Sequence, residues 1–95
     1  MDIIFSCKEK FGREVYLTKE RWKHICREHV DMSNELEIQE TLMKPLFIKT
    51  DIEDEKVNYY YTYRKDSKKY LMVAVKYLNG NGFVITCFHT RKIRP

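Results

Sequence analysis

His24, His29 and His89 carry the only imidazoles in this sequence, and imidazole is the side chain that most readily takes up and gives back a proton near neutral pH. Fixed cations accompany them at Arg64, Lys76, Arg91, Lys92 and Arg94, together with a tyrosine-rich run at Tyr59, Tyr60, Tyr61 and Tyr63. Cleaving RNA without a metal needs a base for the 2′-hydroxyl, an acid for the leaving oxygen and cations around the phosphate. Unpaired bases can stack on tyrosine rings. The residue types therefore suggest RNA cleavage, with His24 or His29 as acid/base, Lys76 and Arg64 as a phosphate clamp, and Tyr61 as a stacking platform. Tyr59, Tyr63, His89 and Arg91 are the further candidate RNA contacts.

Each candidate has a plainer reading. His29 ends an apolar stripe and could be a satisfied core residue. His24 sits on the polar side of the same helix, and the tyrosines could be sheet packing. Lys76, inside the most apolar stretch, is harder to dismiss, because a charge there must reach water or a partner. Five residues separate His24 from His29, roughly 140° around a helix, so a single metal ion is poorly placed to take both. No metal and no cofactor are expected.

Elements to position these groups follow from local pattern. Asp2–Cys7 and Glu14–Leu17 read as short strands on either side of a turn holding Gly12. Thr18 is a good N-cap, and Glu20 suits the first turn of the helix it opens. Trp22, Ile25, Cys26 and His29 then share one face. Ser33 can cap a second helix over Asn34–Lys44, with Leu36, Ile38, Leu42 and Met43 as its apolar side and Pro45 as its stop. Strands are expected at Leu46–Thr50, Val57–Arg64, Tyr70–Leu78 and Phe83–His89. The last two are joined by Asn79-Gly80-Asn81-Gly82, which tolerates the positive φ of a tight hairpin. The expected fold is α+β: two N-terminal helices packed on one face of a four-stranded antiparallel meander sheet, with a short N-terminal hairpin.

Alternation along the strands then sorts the faces. With even-length turns, Lys76 lies opposite Ile85, Ala74 opposite Cys87 and Met72 opposite His89, and Tyr59, Tyr61 and Tyr63 join them on an open face. Tyr60, Thr62, Arg64, Leu71, Val73, Val75, Tyr77, Val84, Thr86 and Phe88 meet the helices. Arg64 and Lys76 can then line one site only if the Asp66-Ser67 turn is odd-length or Arg64 curls around its strand end.

The chain's 95 residues allow one domain, residues 1–95, and exclude large nucleotide-binding or barrel scaffolds. Its net charge of +4 is unevenly spread. Residues 31–56 hold 3 basic and 8 acidic groups, whereas residues 57–95 hold 8 basic groups and only Asp66 as an acid. Such a cationic block suits a polyanionic partner. Cys7, Cys26 and Cys87 form no C-x-x-C pair and read as reduced thiols, so a cytoplasmic setting is expected. The longest apolar run, Leu71–Val75, is far too short to cross a membrane, and no signal peptide is evident.

The string Val15-Tyr16-Leu17-Thr18-Lys19-Glu20-Arg21-Trp22-Lys23-His24-Ile25, followed by His29, resembles the prokaryotic and phage-associated nuclease-like domains of the barnase–EndoU–colicin–RelE group. In that group an R-W-x-H-I-x-x-x-H-P helix precedes a strand bearing Tyr and Arg, a strand ending in Lys and a final strand bearing Thr. The later parts would be Tyr59–Arg64, Val73–Lys76 and Phe83–Thr90 here, and Val30-Asp31 stands where the pattern has Pro and usually Glu. The resemblance implies an α+β ribonuclease-type fold, metal-independent RNA cleavage and a role as a toxin or phage-conflict effector. It nominates His24, His29, Arg64, Lys76 and Thr90. A non-catalytic module of the same fold, binding RNA or docking an acidic antitoxin, is the rival reading, and a structural phage or mobile-element protein is a third.

Overall fold

A computed structural model describes residues 2–95. Its elements run β1 (Ile3–Lys8), β2 (Glu14–Thr18), α1 (Lys19–Glu28), α2 (Glu35–Met43), β3 (Phe47–Thr50), β4 (Val57–Arg64), β5 (Lys69–Leu78) and β6 (Asn81–Thr90). All six strands belong to one sheet in the order β1-β2-β6-β5-β4-β3. This overturns the expected four-stranded antiparallel meander with two N-terminal helices. The N-terminal hairpin joins the sheet, because β2 pairs in parallel with β6 through Val15 opposite Gly82 and Tyr16 opposite Phe83. The result is a six-stranded mixed sheet with two short helices. The pairing gives β6 a partner along the start of an otherwise open edge.

Local chemistry explains the element ends. The Thr18 side chain accepts from the Arg21 N–H at 3.2 Å and opens α1. Asn34, one residue beyond the expected Ser33, caps α2 by accepting from the Leu36 N–H at 3.0 Å. Ile38 and Leu42 are buried in α2, whereas Leu36 and Met43, expected with them, face solvent. Asn79 and Gly80 both have positive φ (53° and 84°) and set Leu78 opposite Asn81, a two-residue hairpin turn.

Two cores lie on the two sides of the sheet. Leu17, Ile25, Ile38, Leu42, Tyr60, Leu71, Val73, Val75, Val84 and Cys87 form the larger one beneath the helices. Val57, Tyr59, Tyr61, Met72 and Ala74 form the second, with Phe47, Tyr70, Ile85 and Phe88 packed against it. The expected register of β6 fails in two steps. The turn at Asn79-Gly80 pairs Leu78 with Asn81 and so shifts the register by two residues without changing faces. A bulge then pairs Val75 with Val84 but Ala74 with Thr86, leaving Ile85 as an extra residue. One inserted residue reverses the alternation beyond it. Cys87 therefore enters the helix-side core, and Phe88 moves to the opposite face. Lys76 pairs with Phe83 and Met72 with Phe88, in place of the expected Ile85 and His89.

Candidate functional site

The second face is not an open tyrosine platform. Tyr61 is fully buried and Tyr59 nearly so, because the segment after β6 turns back across them. Thr90 Oγ1 accepts from the Lys92 N–H at 3.1 Å and donates to the Lys92 carbonyl, which makes the turn. The Arg94 N–H then donates to Tyr61 Oη at 3.1 Å, and its guanidinium lies 4.9 Å from the Tyr59 ring centre. Tyr59 in turn donates a hydrogen bond to Asp51. Among the three candidate stacking tyrosines, only Tyr63 remains exposed.

Arg64 and Lys76 do not meet. The β4–β5 connection is even-length, Arg64 pairing with Lys69, so the two side chains fall on opposite faces. Arg64 Nη2 is 2.5 Å from Glu37 Oε1 of α2. Lys76 Nζ turns toward the β3–β4 connection, 3.1 Å from Asp54 Oδ2. Thr90 is occupied with Lys92 as described, which leaves none of these three free at the histidines.

His24 and His29 border one hollow. β2 pairs with β6 only as far as Phe83, and α1, which follows β2 directly, lies beside the second half of β6. Arg21, His24, Glu28 and His29 of this segment face Ile85, Thr86 and Phe88 across a hollow of about 290 Å³. An ideal helix would hold the two histidines far apart in azimuth. His29, however, has left the helix: it is the C-cap, with φ −130° and ψ 85°, and its N–H bonds the Ile25 carbonyl at 2.8 Å. The freed ring packs against Phe88 with centroids 5.0 Å apart. His24 is exposed and His29 half-buried. The bulge at Ile85 turns Thr86 and Phe88 toward this hollow, so Thr86, expected among the residues that meet the helices, borders it instead. Arg21 borders the hollow as well, and in the sequence it stands only as part of the motif around Trp22-Lys23-His24.

His89 points the other way, to the helix side. Its Nδ1 lies 2.6 Å from Asp31 Oδ2 in the link just past His29. The pair borders a larger hollow of about 490 Å³ that also contains Asn34, Glu37, Arg64 and Lys69. Burial acts to raise the Asp31 carboxyl, but the hydrogen bond from His89, the local backbone amide and the charges of His89 and His29 hold it below the usual carboxylate range.

A third polar group clamps the fold. Glu9 is buried in the turn between β1 and β2, where its carboxylate accepts from the Phe11 and Arg13 N–H groups at 2.8 and 3.0 Å. It also accepts from the Tyr60 hydroxyl at 2.7 Å. Arg13 stacks 3.9 Å above the Tyr77 ring, and the Tyr77 hydroxyl lies 2.5 Å from that of Tyr60. These contacts tie the hairpin turn to β4 and β5.

Burial first, then nearby negative charge, pushes Cys87 up to about 12 and Cys7 up to about 11, so both stay protonated at neutral pH. All three cysteines are free. Among the described residues, no three His, Cys, Asp or Glu side chains gather as metal ligands, and no helix is long and apolar enough to cross a membrane. No protein-family model, curated protein or solved structure matches the chain.

Proposed function

We propose that this protein is a small cytoplasmic endoribonuclease that works without a metal at the hollow between α1 and the second half of β6. The observation that carries this reading is the convergence of His24, His29, Arg21 and Thr86 on one hollow. One imidazole takes the proton of the RNA 2′-hydroxyl as its oxygen attacks the adjacent phosphorus. The other protonates the 5′-oxygen as the phosphorus–oxygen bond to it breaks. The products are a 2′,3′-cyclic phosphate and a free 5′-hydroxyl, and no co-reactant is consumed. The Arg21 guanidinium neutralises charge on the phosphate during the transfer, and the Thr86 hydroxyl donates to a phosphoryl oxygen. The cationic residues 57–95, the motif around Trp22-Lys23-His24 and the free thiols support the same reading.

Labelled RNA incubated with the purified protein in excess EDTA tests it. Fragments ending in cyclic phosphate are expected, and His24→Ala and His29→Ala should each lower the rate by about 10²–10⁴-fold. Wild-type protein that leaves RNA intact, or either variant cleaving at the wild-type rate, overturns the proposal. A role as a toxin would add growth arrest on expression, relieved by the same substitutions.

A further inference from the structure

The tail that covers Tyr59 and Tyr61 leaves one end of the sheet uncovered. There Tyr63 of β4 pairs with Tyr70 of β5, and Tyr70 with Thr90 of β6. The two rings meet edge to face with centroids 5.2 Å apart, and Tyr63 is 45% exposed. The same end is ringed by cations. Lys65 and Lys68 lie in the β4–β5 turn, Lys69 opens β5 and Arg91 follows β6 directly. Lys65, Lys68 and Arg91 are exposed, and Asp66 is the only carboxylate between Val57 and Pro95.

We infer that this end of the sheet binds a single-stranded segment of RNA, one base stacking on Tyr63 while Lys65, Lys68 and Arg91 hold phosphates. The inference rests on the ribonuclease reading and gives that activity a substrate class: RNA with an unpaired segment. One relationship favours this occupant. An exposed aromatic ring within a cationic rim fits a strand whose bases are splayed and whose backbone is anionic. A duplex keeps its bases stacked on one another and offers nothing to the ring.

Fluorescence anisotropy of a short labelled oligouridylate tests this, with His29→Ala protein used to silence cleavage. Tyr63→Ala should weaken binding about tenfold, and Tyr63→Phe, which keeps the ring, should restore it. Replacing Lys65 and Lys68 with Gln should lower the slope of log affinity against log salt by about 1.4, at about 0.7 per phosphate contact. A duplex of the same length should bind more weakly. Melting curves confirm that each variant is folded. The inference is overturned if Tyr63→Ala and the double Gln variant bind as the parent does. It is also overturned if polyglutamate competes as well as the oligouridylate, since the rim is then a dock for an acidic protein. Binding that behaves as expected in a protein that never cleaves RNA defeats the nuclease reading alone.

Discussion

Asp31 and His89 are 58 residues apart in sequence, yet their side chains meet at 2.6 Å. The contact fastens the link after α1 to the far end of β6. His29 sits two residues before Asp31 and packs on Phe88, one residue before His89. The contact thus holds the segment that carries the half-buried imidazole against the strand that forms the other wall of its hollow.

Asp31→Asn tests that positioning role. The substitution keeps the shape and removes the carboxylate that meets His89 Nδ1. A misplaced catalytic group loses rate steeply, so RNA cleavage should fall about tenfold with little change in substrate affinity. Asp31 is 54% exposed, so the stability loss should stay within about 1 kcal/mol. Initial rates at saturating RNA, beside urea unfolding, separate the two effects. Wild-type turnover in the Asn variant would remove Asp31 from the mechanism.

Arg21 and Lys76 make opposite predictions. Arg21 borders the histidine hollow, whereas the Lys76 ammonium is turned to Asp54 at 3.1 Å. Arg21→Ala should therefore slow cleavage by about tenfold or more, and Lys76→Ala should leave the rate near that of the wild type. The reverse order would mean that Lys76 swings away from Asp54 to meet the phosphate.

The same pair shows where the sequence was readable. The start of α1 at Thr18 and the Asn79-Gly80 turn rest on residues within a few positions of each other, so cap and turn chemistry reveals them. Lys76 is legible as a charge that needs water or a partner, but nothing local names Asp54. The bulge at Ile85 is a property of two strands paired together, and alternation counted along one strand cannot detect it. That single residue exchanged Cys87 for Phe88 across the sheet and turned Thr86 toward the histidines. The burial of Tyr59 and Tyr61 depends on the return of Arg94 from the end of β6, a contact between distant segments. His24 and His29 were legible as candidates by type. Their shared hollow depends on the helix ending at Glu28, one residue before His29.

Glu9 should make stability depend on pH in the acid range. Burial alone would raise its carboxyl. The hydrogen bonds from the Tyr60 hydroxyl, the Arg13 amide and guanidinium and the Phe11 amide outweigh it and hold the group below its ordinary value. Its folded pKa is thus lower than its unfolded one, so the stabilisation is complete above about pH 4.3 and is lost as pH falls through the folded value. Glu9→Gln should cost about 3 kcal/mol at neutral pH, since it leaves Arg13 and Tyr60 without an anionic partner. It should also flatten the acid limb of the stability curve. Urea unfolding across the acid range measures both, and equal acid sensitivity in the two proteins would assign the limb to other carboxylates.

Gly82 marks the most crowded junction in the sheet, opposite Val15 of β2 on one side and Tyr77 of β5 on the other. A Cβ there would lie 2.7 Å from Tyr77 Cε1 and 2.8 Å from Val75 Cγ1. Tyr77 has little freedom to yield, because its ring lies under Arg13 and its hydroxyl is against that of Tyr60. Gly82→Ala should therefore destabilise the fold by about 2 kcal/mol through overpacking. Gly80 offers the contrast: it has φ +84° and open space around it, so Gly80→Ala should cost only the backbone term of about 1 kcal/mol. Replacing Tyr77 with Leu removes one of the two close contacts at Gly82. In that background Gly82→Ala should be milder, and the double-mutant cycle should give a favourable coupling of about 1 kcal/mol. Full additivity would place the strain on Val75 or on the β2–β6 pairing itself.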